Sequence, residues 1–131
     1  MTFDPQTVSM QDASGVAALL DAAAERMLTE PLRRGSSVFL PARGRILLTG
    51  DLHDNPVHFR LVQELARLDR SPDNHVVLHE LIHGDRLVNG VDLSYRMLCR
   101  VAQLLLAKPG QVHVVLANHE LAQVFRHPVS K

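Results

Sequence analysis

The chain has 131 residues, 46% of them apolar, which is enough for one domain with a true core and excludes a disordered chain. Lys plus Arg and Asp plus Glu number 14 each, so no net charge draws the protein to nucleic acid or to an anionic membrane, and four Phe, one Tyr and no Trp leave little surface for stacking bases. The single cysteine, Cys99, excludes an internal disulfide and suits a reducing, cytoplasmic setting, and no apolar run approaches the ~20 residues of a membrane helix.

Residues 1–12 read as a flexible leader without the basic-then-apolar pattern of a secretory signal, and 13–131 as one domain. Val16, Leu19, Leu20, Ala23 and Met27 recur at helical spacing, with Asp12 or Ser14 as cap. Pro31 and Gly35 end that helix; Val38–Leu40 is a short extended piece before a turn at "PARG". From Arg45 onward apolar blocks alternate with helical patterns. "RILLTG" is a buried strand. Asp54 or Asn55 then caps a helix with Pro56 in its first position, and Phe59, Val62, Leu65 and Ala66 on one face. "HVVL" is a second strand, Leu93, Met97, Val101 and Leu104 stripe a second helix that Asp92 caps, and "VHVVLAN" is a third strand. "HELAQVF" opens a further helix just as the chain stops, which reads as a partial domain. The order β-α-β-α-β predicts an α/β fold with three parallel strands that need cover on both faces, partly from the extra N-terminal helix.

Ligands of such sheets sit beyond the carboxyl ends of the strands. There the sequence places Gly50-Asp51-Leu52-His53, then His79-Glu80, then Asn118-His119-Glu120. Carboxylates, imidazoles and an amide oxygen converging from three neighbouring strands suit a hard to borderline divalent ion. Gly50 is expected to make the tight turn that aims Asp51 and His53 at one point.

The stretch from Arg45 to Glu120 resembles the calcineurin-like metallophosphoesterases, most closely their phosphoprotein-phosphatase branch. "GDLHD" is similar to the first family motif, G-D-x-H-G, with Asp54 for the last Gly; "HELIHGD" stands where G-D-x-V-D-R-G belongs; "ANHE" is similar to G-N-H-E, with Ala117 for Gly. The resemblance implies half of a metallophosphoesterase-type α/β sandwich, two divalent ions (Mn, Fe or Zn) and a phosphorylated substrate. Carried over by position, Asp51 and His53 bind the first ion, Glu80 replaces the aspartate that bridges both, Asn118 binds the second, and His119 protonates the leaving alkoxide as general acid. The family's second aspartate, which orients that histidine, falls at His83, its phosphate-binding arginine at Gly84, and a further arginine at Leu116. His79, His83, Asp85 and Arg86 are therefore candidates for supporting the ligands or touching phosphate. The family's later histidine ligands have no counterpart before Lys131, and His127 lies too near His119 to stand in.

Two rival readings come from the same residues. The degraded second motif suits a non-catalytic, metal-binding or structural relic of the fold. His79-Glu80-Leu81-Ile82-His83 is also a literal H-E-x-x-H, a zinc-protease helix in which only Asp92 or Glu120 offers a loose third ligand. His58, His75, His113 and His127 carry no motif and are expected on surfaces or strand edges. No motif specifies the substrate or an oligomeric state.

Overall fold

In the computed structural model, which describes residues 3–84, 87–126 and 128, Asp12 Oδ1 accepts the Ser14 N–H and hydroxyl and so starts helix α1, Ala13–Leu28. The Ser14 hydroxyl first, then the Gly15 and Ser14 N–H groups, hold the Asp12 carboxyl below its ordinary pKa. Residues 3–12, expected as a loose leader, are tied down. Gln6 Nε2 donates to the Gln103 carbonyl (2.9 Å), Gln103 Nε2 to that of Pro5 (3.0 Å), and Tyr95 Oη to that of Met10 (2.8 Å). A two-residue hairpin follows, β1 (Arg33–Arg34) with β2 (Ser37–Val38).

The sheet behind the strand ends is β3 (Arg45–Asp51), β4 (Asn74–His79) and β7 (Val112–Val115), all parallel, with β4 central. Gly44 admits β3 to the sheet: its φ is +90°, and a Cβ there would sit 1.8 Å from the Asp73 carbonyl oxygen. Helix α2 (Pro56–Ala66) connects β3 to β4; Asn55 caps it, accepting from the Val57 and His58 N–H groups. A hairpin of β5 (Leu87–Val88) and β6 (Val91–Asp92) and then helix α3 (Tyr95–Ala107) connect β4 to β7. Asp92 accepts from the Ser94 N–H, so Ser94 and not Asp92 holds the cap position of α3, and Leu93 precedes the helix. Helix α4 (Asn118–Phe125) follows β7.

Two right-handed crossovers in one direction put α2 and α3 on the same face of the sheet. Phe59, Val62 and Ala66 of α2 join Met97, Val101, Ala102 and Leu105 of α3, Val76 and Leu78 of β4 and Val112 of β7 in one core. Burying each large side chain is worth about 1.5–3 kcal/mol. The N-terminal helix packs on α3, with Leu19 fully buried there. On the sheet's other face Ile46 is 52% and Leu48 67% exposed.

His75 corrects the expectation of histidines on surfaces or strand edges, whereas His113 lies partly buried on β7, an outer strand of this sheet. Their residues sit on the central strand and its neighbour, His75 is buried, and His75 Nδ1 lies 3.2 Å from His113 Nε2. Burial, and then the facing His75, push the His113 pKa below its ordinary value. The unfolded chain therefore binds a proton that the folded chain resists. The stability that follows from neutral His113 is complete above its ordinary value of about 6.5 and is lost as pH falls through the lower folded value. Between pH 7.5 and 5 the melting temperature of the wild type should fall more steeply than that of His113→Gln. Parallel melting curves would remove His113 from the acid sensitivity.

Candidate metal centre

The centre is built by a defect in the β3–β4 pairing. The register runs Ile46↔His75, Leu47↔Val76, Leu48↔Val77 and then jumps to Asp51↔His79. The extra residue turns Asp51 to the side of His79, as bulges do next to working sites. Gly50, expected to supply the turn, lies in the strand at this irregularity with open space around it. The turn itself is made further on, by His53 (φ 44°) and Asp54 (φ 50°). Asp54 tolerates the left-handed conformation because its short polar side chain can bond locally, which explains how it replaces a glycine of the motif.

Beyond the strands the two loops continue to pair through the backbone. The Leu52 and His53 N–H groups donate to the Glu80 carbonyl, each at 2.9 Å, and the Asp54 N–H to that of Leu81 (2.9 Å). Buried Leu52, Leu81 and Ile82 anchor both loops in the core. Glu80 (φ 46°) and His83 (φ 63°) are again left-handed. Four of the seven left-handed non-glycine residues among those described thus lie in these two loops. Each costs on the order of 1–2 kcal/mol, strain that surrounding structure must hold in place and that concentrates at functional sites.

Glu120 ties in the third element. Its Oε1 accepts from the Leu81 N–H (2.7 Å), and its Oε2 from that of Ala117 (3.2 Å), clamping the start of α4 to the loop after β4. Within the first turn of α4, His119 then reaches Glu80: Nδ1 lies 2.8 Å from Oε1. Glu80 is 1% exposed, and among the described residues its ion-pair partner is His119.

The structure brings His53, Glu80 and His119 together, with one ligand atom of each within 4.8 Å of the others. Asp51 stands at the rim, Oδ2 3.5 Å from His53 Nε2 and Oδ1 2.9 Å from His79 Nδ1. His83 lies on the other side, its ring 4.9 Å from that of His119 and its Nδ1 4.0 Å from Asp92 Oδ2. Asn118 is the exposed first residue of α4, next to His119. Asp85, Arg86 and His127 lie outside the described residues.

The protease alternative is overturned here. His79 ends a strand and residues 80–84 are not helical, so His79 and His83 do not share a helix face. They face different partners, Asp51 and Asp92. The β-branched run before His79 outweighs the apolar stripe that made a helix plausible.

These donors suit a divalent cation. His53 Nδ1 is 3.2 Å from the Ile82 carbonyl, which can only accept, so Nδ1 carries the proton and Nε2 keeps its lone pair for an ion. The deeply buried Glu80 carboxylate needs positive charge beside it. Bonds of about 2.1 Å place neighbouring ligand atoms about 3.0–3.4 Å apart, so the 3.5 Å contact of Asp51 Oδ2 with His53 Nε2 needs little adjustment.

A family model of the calcineurin-like phosphoesterases matches residues 44–130, from the glycine that admits β3 through all three parallel strands and α4. The chain belongs to the calcineurin-like phosphoesterases. Neither the curated proteins nor the solved structures give a match. This is a family that uses divalent metals, and in this chain the group His53, Glu80 and His119 is the candidate metal-binding group. The half-sandwich expected from the motifs is the observed one, a three-stranded parallel sheet with helices. No described helix is long and apolar enough to cross a membrane.

Two contacts of this family member escaped sequence reasoning. The family's orienting aspartate has His83 in its place, and Glu80 instead meets His119, its extra methylene giving the reach. The Asp51–His79 contact depends on the bulge, which no local pattern announces.

Proposed function

We propose that the protein is a metal-dependent phosphoester hydrolase of phosphatase type. It works in the cytoplasm on a phosphorylated substrate, with two divalent ions drawn from Mn, Fe and Zn. The reading is carried by the 2.8 Å contact of His119 Nδ1 with the buried carboxylate of Glu80. Ions bound beside it supply charge neutralisation for the phosphate and a more acidic water. Glu80 Oε1 accepts the Nδ1 proton of His119, which holds the ring and leaves Nε2 to hand a proton to the leaving alkoxide. His53 offers Nε2, Asp51 a carboxylate and Asn118 an amide oxygen as ligands. The clustered strain of His53, Asp54, Glu80 and His83 supports a working site over a plain loop crossing.

The test is hydrolysis of an aryl phosphate by the manganese-loaded chain. His119→Asn should lower kcat by about 10²–10⁴ while manganese binding persists. Loss of manganese in that variant would make His119 a ligand instead of the acid. A metal-binding, non-catalytic module is the second reading, favoured by Gly84 and Leu116 at the family's arginine positions. A Cβ at Gly84 would already lie 3.0 Å from the His53 carbonyl oxygen, so the loop does not take an arginine there without moving. Manganese uptake with no turnover of any phosphoester would decide for this second reading.

A further inference from the structure

We infer that Asp51 bridges two cations through its two oxygens and that His79 is a ligand of the second. This rests on the metal-centre reading above and assigns its parts differently from the motif alignment, which gives the bridge to Glu80.

The pairing irregularity is the starting observation. Had the register run on unbroken from Leu48↔Val77, Gly50 would face His79, and Asp51 would share the helix-covered side with Leu47 and Thr49. The irregularity instead aligns Asp51 with His79 and gives each carboxylate oxygen its own imidazole. Oδ1 meets His79 Nδ1 at 2.9 Å and Oδ2 meets His53 Nε2 at 3.5 Å. Both separations are close to the edge between two ligands of one ion. His53 belongs with Glu80 and His119, a group that does not take in Asp51, so His53 is what ties an ion at Oδ2 to that group, and an ion at Oδ1 is held by His79. A carboxylate bridging in this way spans the ~3.5–4 Å of a two-metal centre.

A hydrogen bond alone explains the pair less well. With side chains 53% and 38% exposed, an Asp51–His79 ion pair contributes about 0–1 kcal/mol. That is small against the disruption of the ladder that creates it. The same exposure lets water fill the remaining coordination positions of a second ion. Glu80, fully buried and committed to His119, presents no such open side.

The test counts manganese on the full chain by equilibrium dialysis and reads its electron paramagnetic resonance. The wild type should bind two ions with a spin-coupled spectrum. His79→Gln should bind one ion and show the six-line signal of an isolated manganese, which also reports that the rest of the centre is folded. His79→Glu should bind two coupled ions again, because a carboxylate replaces the imidazole as ligand; as a mere hydrogen-bond partner it would repel Asp51 and rescue nothing. Two coupled ions in His79→Gln overturn the bridge and leave the hydrolase reading standing, whereas a single ion in the wild type overturns both the bridge and the two-ion form of that reading. A wild type that takes up no ion removes both.

Discussion

Glu80→Gln should lose tight metal binding, by about 100-fold or more in affinity, with little change in the metal-free fold. The carboxylate is fully buried and faces one imidazole, His119, at 2.8 Å. Glutamine matches its shape and can still bond the ring, so the metal-free protein keeps its packing and sheds a buried charge. What disappears is the anionic ligand; removing even a group behind the ligands costs 10–100-fold in affinity. With manganese at 100 times the wild-type dissociation constant, the wild type gains about 2.7 kcal/mol from the ion and the variant well under 1. For a chain of this size that separates their melting temperatures by about 6–12 °C in manganese. In chelator the two should melt within a few degrees. Equal manganese-induced shifts would show that Glu80 is not a ligand. Glu80→Asp makes the complementary case: it restores the family's residue but withdraws the carboxylate by a methylene, so it should keep the ion and release His119, lowering kcat more than affinity.

Glu120→Ala should cost about 2–4 kcal/mol of stability although Glu120 is itself only partly buried. Its two oxygens accept from the N–H groups of Leu81 and Ala117, which belong to different strand-end loops. Leu81 and Ala117 are both buried, so alanine strands donors that solvent reaches poorly, and bonds to a charged acceptor are worth about 1.5–3 kcal/mol each. Glu120→Gln keeps one acceptor and turns an amide N–H toward the other donor, and should lie between the two, about 1–2 kcal/mol below wild type. Urea denaturation measures both. The loss should come with weaker manganese binding, because the same clamp sets the distance of His119 from Glu80. A Glu120→Ala chain as stable as the wild type would dissolve the clamp as an explanation of the site.

The order of the parallel strands was open to reading because it is written in short-range chemistry. "RILLTG", "HVVL" and "VHVVLAN" are apolar blocks between helices, and each is followed by side chains of the types that can ligate metals. Right-handed crossovers then leave few ways to arrange them. Asn55 and Pro56 at the start of α2, and Asp12 at the start of α1, follow from capping rules that involve neighbours in sequence. "GDLHD" and "ANHE" likewise carried the family, which the match over residues 44–130 establishes.

The meeting of particular side chains was decided elsewhere. Alternation along β3 places Asp51 on the wrong side, and only the slip against β4 turns it to His79. The H-E-x-x-H string has helical spacing on paper, yet pairing with β3 and β7 keeps His79 in a strand and frees Glu80 to adopt a left-handed turn beside His119. Both outcomes depend on hydrogen bonds between segments about thirty residues apart, whose energy a local window of sequence does not contain. The sequence by itself thus determined which residues stand at the strand ends and in what order. Tertiary pairing alone decided which of them touch, because side-chain direction at a strand end is set by the register of its neighbour.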